Sequence, residues 1–342
     1  MRMLTHDDVT AFTGYRNLDD VARYQDWPVP YTRDLAHELV DDIESLAGPT
    51  NGHWVQLALD ADGTMVGDIA VWLDDAGELA MIGYTIAPRH QGHNYAVEAA
   101  DRVIEWLFTK RRVHRIAATI DPRNMASARV LERCGFEYVG TARSSAFVRG
   151  EWTDDARFSL LADDWRAWRD RPTRPPGDIG FVDVTSANLD AVSHIDVAHS
   201  QRRFVTSVSR SIADATHPAV IDGVPVRPWY RAITADGELA GFAMLALATT
   251  TQPTPILWRL LVDQRHQRRG VARRAIGDLA SMLIDWGDTH LDVSFVDEPG
   301  GPEAFYRLLG FERTGDTIGG ETCARAALDT IVRRTGAADA RP

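Results

Sequence analysis

The chain has 342 residues, 44% of them hydrophobic and 25% charged, a globular balance whose length fits two domains at roughly 150 residues each. Its 37 basic against 49 acidic residues leave a net charge of −12, which argues against a non-specific grip on nucleic acid or on an anionic membrane. Two cysteines, Cys134 and Cys323, rule out a disulfide framework and a Cys-based zinc site, and the eleven histidines show no metal-ligand spacing, so no metal is expected.

The N-terminus, Met1 to Asp8, lacks the apolar stretch of a signal peptide. Arg2-Met3-Leu4 is all that is available for a first strand. Apolar stretches Trp54 to Leu59 and Ile69 to Leu73 flank Asp62-Gly63, a hairpin signal, and Met81 to Ile86 reads as a third strand. The next helix buries Ala99, Val103, Ile104, Leu107 and Phe108 on one face. A strand over Ile116 to Ile120 precedes a short helix closed by Gly135, a C′ position where positive φ costs little, and Phe136 opens another strand.

The order then repeats. Ala61-Asp62-Gly63 with Gly67 returns as Ala235-Asp236-Gly237 with Gly241, Arg89-His90-Gln91 as Arg265-His266-Gln267, and Gly135-Phe136-Glu137 with Gly140 as Gly310-Phe311-Glu312 with Gly315. The offsets are 174, 176 and 175 residues, and three anchors in order indicate two copies of one fold. In the second copy the strands are Ala240 to Ala248, Ile256 to Val262 and Leu291 to Phe295. Its helix buries Ile276, Leu279, Leu283 and Trp286. The uncharged window Leu239 to Trp258 is long enough for a membrane span, but Thr249-Thr250-Thr251-Gln252-Pro253-Thr254-Pro255 at its centre fits two strands joined by a loop. Arg171-Pro172-Thr173-Arg174-Pro175-Pro176-Gly177 reads as a linker. The expected organisation is therefore a first domain over 1–170, a linker over 171–177, a second domain over 178–334 and a tail over 335–342, in a cytoplasmic protein. Residues 1–170 carry 18 basic and 28 acidic residues, which suits a cationic partner and equally a solvated surface.

The turn between strand and helix carries the most chemistry. It reads Gln91-Gly92-His93-Asn94-Tyr95-Ala96 in the first copy and Gln267-Arg268-Arg269-Gly270-Val271-Ala272 in the second. Small residues let successive backbone N–H groups close around an anion, and the following helix N-terminus adds free donors and a positive dipole end. Arg268, Arg269, Arg273 and Arg274 put positive charge around the second turn. Neither a Walker loop nor a Gly-x-Gly-x-x-Gly turn is present, and by its residues alone the segment is equally a basic helix start with an incidental glycine.

The pattern Gln-x-x-Gly-x-Gly/Ala after a strand, with Gly-Phe roughly forty residues later, resembles the GCN5-related N-acetyltransferases (GNAT superfamily), once per half and over nearly the whole chain. The second copy, about Phe181 to Leu328, resembles the spermine/spermidine acetyltransferase branch. It does so through Gln201-Arg202-Arg203-Phe204-Val205, Leu257-Trp258-Arg259-Leu260-Leu261-Val262-Asp263 and the run from Phe305 to Gly315. The first is similar to the branch that acetylates ribosomal-protein N-termini, through Gln91 to Ala99, Asn124 with Ser127, and Arg129 to Phe136. The order of elements gives an α/β fold, and the resemblance implies two tandem GNAT domains, each a mixed, mostly antiparallel sheet flanked by helices.

It further implies acetyl-CoA or a close acyl-CoA as co-substrate, with the acyl group passed directly to an amine of a small cationic metabolite or a protein N-terminus. The pyrophosphate is expected on the backbone of Gln267, Arg268, Arg269, Gly270, Val271 and Ala272, and the pantetheine beside Leu261 and Val262. The matching cofactor residues of the first copy are Ile86, Gln91, Gly92, His93, Asn94, Tyr95, Ala96 and Asn124. Tyr306 matches the family tyrosine that protonates the departing thiolate, and it equally suits a core position beside Phe305 and Leu309. Ser127 matches a serine near the thiol, and Asn124 fits a helix N-cap as well as a cofactor contact. Glu98, Asp263, Glu303, Glu238 and a water chain all stand open as general base. Two departures weigh on the resemblance. Asn94 aligns with Gly270 and puts a side chain where phosphates would lie, and Pro299, followed by Gly300-Gly301-Pro302, replaces an asparagine ahead of the motif helix. The second copy is thus read as the catalyst and the first as degenerate or a second active site, with a CoA-holding regulatory protein as the rival.

Overall fold

Asp62-Gly63 and Asp236-Gly237 both take left-handed backbone, with φ of 51° and 78° in one and 54° and 84° in the other, the geometry that suits a two-residue hairpin. Around each hairpin the chain builds the same sheet. The computed structural model describes residues 1–221 and 223–336, so the tail expected over 335–342 lies, past Gly336, outside the described residues. Two units result, Met1–Asp170 and the residues from Arg171 onward.

The first unit runs β1 (Arg2–Met3), α1 (Val9–Arg16), α2 (Asp19–Ala22), α3 (Arg33–Glu44), β2 (Trp54–Ala61), β3 (Thr64–Leu73), β4 (Leu79–Ile86), α4 (Tyr95–Trp106), β5 (Arg115–Ile120), α5 (Met125–Arg133), β6 (Glu137–Val148), β7 (Glu151–Leu161) and α6 (Ala162–Arg169). Its sheet order is β1-β2-β3-β4-β5-β7-β6, antiparallel except for β4 beside β5. The second unit runs β8 (Ile179–Val182), α7 (Leu189–Ser193), α8 (Val208–Thr216), β9 (Val220–Ile221), β10 (Val224–Pro225), β11 (Arg227–Ala235), β12 (Glu238–Leu247), β13 (Ile256–Val262), α9 (Val271–Asp285), β14 (His290–Phe295), α10 (Glu303–Leu308), β15 (Glu312–Ile318), β16 (Glu321–Ala327) and α11 (Leu328–Thr335). Its main sheet is ordered β15-β16-β14-β13-β12-β11-β8, with β13 and β14 parallel, and β9 pairs β10 separately. The uncharged window Leu239 to Trp258 falls in β12, β13 and the loop between them. Among the described residues no helix is long and apolar enough to cross a membrane.

Each sheet is buried on both faces. In the first unit Val103, Ile104 and Leu131 of α4 and α5 pack on Ile69, Ile82 and Ile116, while Phe12, Val40 and Ile43 of α1 and α3 cover Val55 and Ala58 on the other side. In the second, Ile276, Leu279 and Leu283 of α9 pack on Leu257 and Val293, and Val192 and Val208 of α7 and α8 cover Phe242, Met244 and Leu261. Trp286 departs from the helical-face reading. It caps the end of α9, is 51% exposed, and meets Trp229 edge to face at 6.5 Å.

The recurring glycines mark close approaches. A Cβ on Gly67 would sit 2.2 Å from the Thr85 carbonyl oxygen, and one on Gly241 would sit 2.4 Å from that of Leu261, so only glycine lets the next strand come this near. In each unit the last helix among the described residues closes over the glycine that terminates its motif helix. A Cβ on Gly135 would meet the Trp168 ring of α6 at 2.5 Å, and one on Gly310 would meet Thr330 Cγ2 of α11 at 2.7 Å.

One buried charge pair stands under α1. Asp68 on β3, 1% exposed, accepts from Tyr15 Oη at 2.5 Å, Gln56 Nε2 at 3.0 Å and Arg16 Nη2 at 3.4 Å. The Arg16 guanidinium lies 4.0 Å from the Phe12 ring and 4.1 Å from that of Trp27. Burial pushes the Asp68 carboxyl up even though Arg16 and the hydrogen bonds act to lower it. Asp68→Ala would leave the arginine buried without its counter-charge and is expected to cost about 3 kcal/mol, read by urea unfolding. A loss below about 1 kcal/mol would show that the rings suffice for the cation.

Candidate functional site

The parallel strands of each sheet pair only where they begin. β4 meets β5 at Leu79, Ala80 and Met81, and β13 meets β14 at Ile256 and Leu257. Past these residues the strands part, leaving one edge of β4 and of β13 open. At the end of that edge each chain enters the strand-to-helix turn, and the two turns have one backbone shape. Gly92 and Asn94 have φ of 82° and 64°, and Arg268 and Gly270 have φ of 62° and 84°. Left-handed residues thus fall at the same two positions, with glycine at the first in one copy and at the second in the other. The first i→i−4 bonds are Glu98 N–H to the Asn94 carbonyl and Arg274 N–H to that of Gly270, both 3.0 Å. The helical amides ahead of them have no intrahelical acceptor and sit at the positive end of the dipole. A Cβ on Gly92 or Gly270 would meet nothing within 4 Å, so the space beside each of these glycines is open, and a backbone of this shape can hold an anion through its free donors.

Several side chains at the two turns are engaged with neighbouring elements. Gln91 Nε2 donates to the Ile86 carbonyl and Gln267 Nε2 to that of Val262, each at 3.0 Å, so both glutamines clip the turn to the last strand residue. Gln267 Nε2 also donates to Gln201 Oε1 at 2.7 Å. Arg269 is buried, with its guanidinium on the Arg174 carbonyl at 2.7 Å and on Asp236 at 3.0 Å, beside His266 Nδ1 at 2.8 Å. Arg274 donates to the carbonyls of Pro176 and Gly177, and Arg273 to that of Arg334. The expectation that four arginines surround the turn is therefore corrected. The hairpin tip and the carbonyls of the expected linker claim Arg269 and Arg274, the end of α11 claims Arg273, and Arg268 is exposed at the turn itself. His93 is exposed and stacks on Tyr95 with centroids 5.8 Å apart. Leu261 and Val271 are buried, and Ile86, Ala96, Val262 and Ala272 are partly buried along the strand end and first helical turn.

Asn94 separates the two copies. Its Oδ1 accepts from Arg133 Nη1 at 2.7 Å, a bond from the turn to the end of α5. Gly270 and the exposed Leu308 hold these positions in the second unit, so no such pair forms there. A parallel difference appears one turn before the glycine-phenylalanine pair, where Tyr306 stands in the second unit and Leu131 in the first. The Tyr306 ring lies among Phe295, Phe305 and Phe311, with centroids 5.8, 5.5 and 5.5 Å away. Burial, and secondarily the charge of Glu321, push its hydroxyl well above the usual tyrosine range. Tyr306 is thus a packed aromatic that keeps its proton at neutral pH. In the first unit Asn124 caps α5, its Oδ1 accepting from Ser127 N–H at 3.1 Å, and Tyr84 Oη lies 3.0 Å from Ser127 Oγ and donates to the Ser127 carbonyl at 2.9 Å.

Of the carboxylates considered as bases, Glu303 is gripped through both oxygens by Arg313 at 2.7 Å, which holds its pKa down, and Asp263 Oδ1 accepts from Arg265 N–H at 3.0 Å in a capped turn. Glu98 and Glu238 are exposed. The loop at Pro299 is tied down, since Arg203 donates to Glu298 and to the Pro299 carbonyl, each at 2.9 Å. A carboxylate that sequence reasoning missed is Glu321 on β16, which accepts from Ser294 Oγ at 2.6 Å and whose charge reaches Tyr306. Its only signal is the alternation of Glu321, Cys323 and Arg325 along the strand.

Residues 1–137 match the family model described as an acetyltransferase (GNAT) domain, and residues 201–311 match that of the acetyltransferase (GNAT) family. YdaF of Bacillus subtilis, provisionally named a ribosomal N-acetyltransferase, is 32% identical over 138 residues, 40% of this chain and 74% of YdaF. The ribosomal protein uS5-alanine N-acetyltransferase of Escherichia coli is 33% identical over 88 residues, 26% of this chain and 45% of that protein. A crystal structure of spermidine N-acetyltransferase from Vibrio cholerae, in complex with CoA and spermine, is 22% identical, with a TM-score of 0.43, over 48% of this chain and 96% of that one. The chain spans about half the length of the first curated relatives it matches. With an acetyltransferase domain matched in each half, the chain belongs to the GNAT family.

Proposed function

We propose that the protein is an acetyl-CoA-dependent N-acetyltransferase that works through its second unit. The observation that carries this reading is the convergence, in that unit alone, of an open β13 edge, an unobstructed Gly270 turn and a buried, protonated Tyr306. Acetyl-CoA, when bound, supplies an activated acetyl thioester. The backbone from Gln267 to Ala272 holds its pyrophosphate, and Leu261 and Val262 offer strand-like pairing to its pantetheine. As the amine nitrogen bonds to the acetyl carbon and the carbon–sulfur bond breaks, the Tyr306 hydroxyl gives its proton to the departing thiolate, while the proton lost by the amine nitrogen passes to water and a proton from water restores Tyr306. The acceptor is an amine of a small metabolite or a protein N-terminus, the latter in keeping with the uS5-alanine enzyme among the relatives. A cytoplasmic location is part of the same reading.

The first unit we read as a copy that has lost tight CoA binding. Asn94 held by Arg133 occupies the front of its turn, and Leu131 leaves no tyrosine to donate a proton. Calorimetric titration with acetyl-CoA is expected to give one site per chain, with CoA-thiol release stimulated by a suitable amine. Replacing Asn94→Gly together with Arg133→Ala is expected to bring the count to two. Two sites in the unaltered protein would make Asn94 compatible with CoA, and no site at all would overturn the proposal.

A further inference from the structure

The acceptor side of the second unit holds a cation that a polyamine site would not retain. Simple alternation from Leu257 would send Arg259 into the core under α9. The register shifts instead. Met244 lies opposite Arg259 and Leu245 opposite Leu257, so Trp258 is an extra residue. This bulge turns Arg259 to the face of Met244, the one covered by α7 and α8. There its side chain is 16% exposed. Nη1 donates to the Trp258 carbonyl at 2.7 Å, and Nη2 stands 4.0 Å from Asp214, which Arg210 already holds at 3.0 Å. Nε is buried with no partner. A guanidinium has five N–H donors, and those removed from water without an acceptor are costly.

Across the opening between β13 and β14, Leu291, Val293 and Phe295 belong to the α9 core, as do Ala324 and Ala326 of β16. Alternation therefore places Ser294 and Glu321 on the same face as Arg259, and they are joined there by their 2.6 Å hydrogen bond. The Glu321 charge acts on Arg259 and on Tyr306 alike.

We propose that this opening is the acceptor subsite and that it selects a compact amine that also bears a carboxylate, the acid bound by Arg259 and the ammonium by Glu321. The inference rests on the second unit being the catalytic one. A polyamine would bring a second ammonium against Arg259, whereas a zwitterion meets both charges with their opposites. In the first unit Gly83 stands where Arg259 does, and β3 pairs β4 without a register shift, so the device belongs to one copy.

The test uses acceptors matched in all but the carboxylate, tyrosine with tyramine and ornithine with putrescine, in initial rates of CoA-thiol release by the full chain. The acid member is expected to have the higher kcat/KM, by about ten- to a hundredfold, the range of a hydrogen bond to a charged group. Arg259→Met should remove that preference by slowing the acid member alone, with acetyl-CoA Kd unchanged, and Arg259→Lys should restore part of it. Retained acetyl-CoA binding verifies that the variants are folded. A preference for the decarboxylated member in both pairs, or one that survives Arg259→Met, overturns the inference. If acetyl-CoA binds and no amine turns over, the catalytic reading fails instead. The same pairs titrated into the CoA-saturated protein then decide the subsite, since tighter binding of the acid that vanishes in Arg259→Met upholds it and equal binding sinks it.

Discussion

Gly270→Glu is expected to abolish acetyl-CoA binding by the second unit, raising Kd at least about a hundredfold, and with it all acetyl transfer. Gly270 has φ of 84°, and a Cβ there meets nothing within 4 Å, so a glutamate side chain extends into the open space before the turn. Its carboxylate would settle against the free amides and positive dipole end that a pyrophosphate needs, blocking the site by bulk and by like charge. Left-handed backbone at a non-glycine residue costs roughly 1–2 kcal/mol, and Asn94 and Arg268 already adopt it, so the fold is expected to survive with a slightly lowered Tm. Calorimetry and thermal unfolding on one sample separate loss of ligand from loss of fold. Gly270→Asn, which copies the first unit, should weaken binding less, because its side chain is shorter and uncharged. A glutamate variant that still binds and turns over acetyl-CoA would mean that the pyrophosphate lies elsewhere.

Tyr306→Phe should lower kcat by about 10²–10⁴-fold, the usual contribution of a positioned proton donor, with acetyl-CoA Kd and stability nearly unchanged. The stability forecast follows from the packing. The ring is held by three phenylalanines, and the hydroxyl has no hydrogen-bond partner among the described residues, so its removal breaks no bond. Stopped-flow or steady-state thiol release with the preferred amine, beside a denaturant melt, checks both halves of the statement. A variant with unaltered kcat would reduce Tyr306 to a core aromatic. A variant that loses several kcal/mol would show a structural role for the hydroxyl instead.

Much of the architecture was legible in the residues. Asp-Gly turns, the glycines ending α5 and α10 and the glycines at 67 and 241 all recur at nearly one offset, because each answers a backbone demand that few other residues meet. Side-chain destinations were less legible. Arg269, Arg273 and Arg274 read as charge around an anion, yet their partners are carbonyls of the expected linker and the last helix, together with a hairpin aspartate, distant in sequence. Glu303 looked available as a base until the fold brought Arg313 against it. Asn94 was recognised as an obstruction, but Arg133, which fixes it, lies 39 residues away and carries no mark of its own. Arg259 was hidden for a sharper reason. One extra residue in a strand reverses the parity of all that follows, and nothing in the run Leu257-Trp258-Arg259-Leu260 announces the bulge.

The closing of each unit by its own last helix, Trp168 over Gly135 and Thr330 over Gly310, has a consequence for how the two copies diverge. Each half completes its sheet and its core with its own strands and helices, so neither requires the other as a folding template. What the peptide chain supplies is dosage. Every translation event delivers one half with Gly270 and Tyr306 and one with Asn94 and Leu131, at a ratio no promoter or binding constant can alter. On the proposed reading, the half without tight CoA binding is thereby inherited and expressed together with the half that binds it, where a separate gene for it would have been free to disappear.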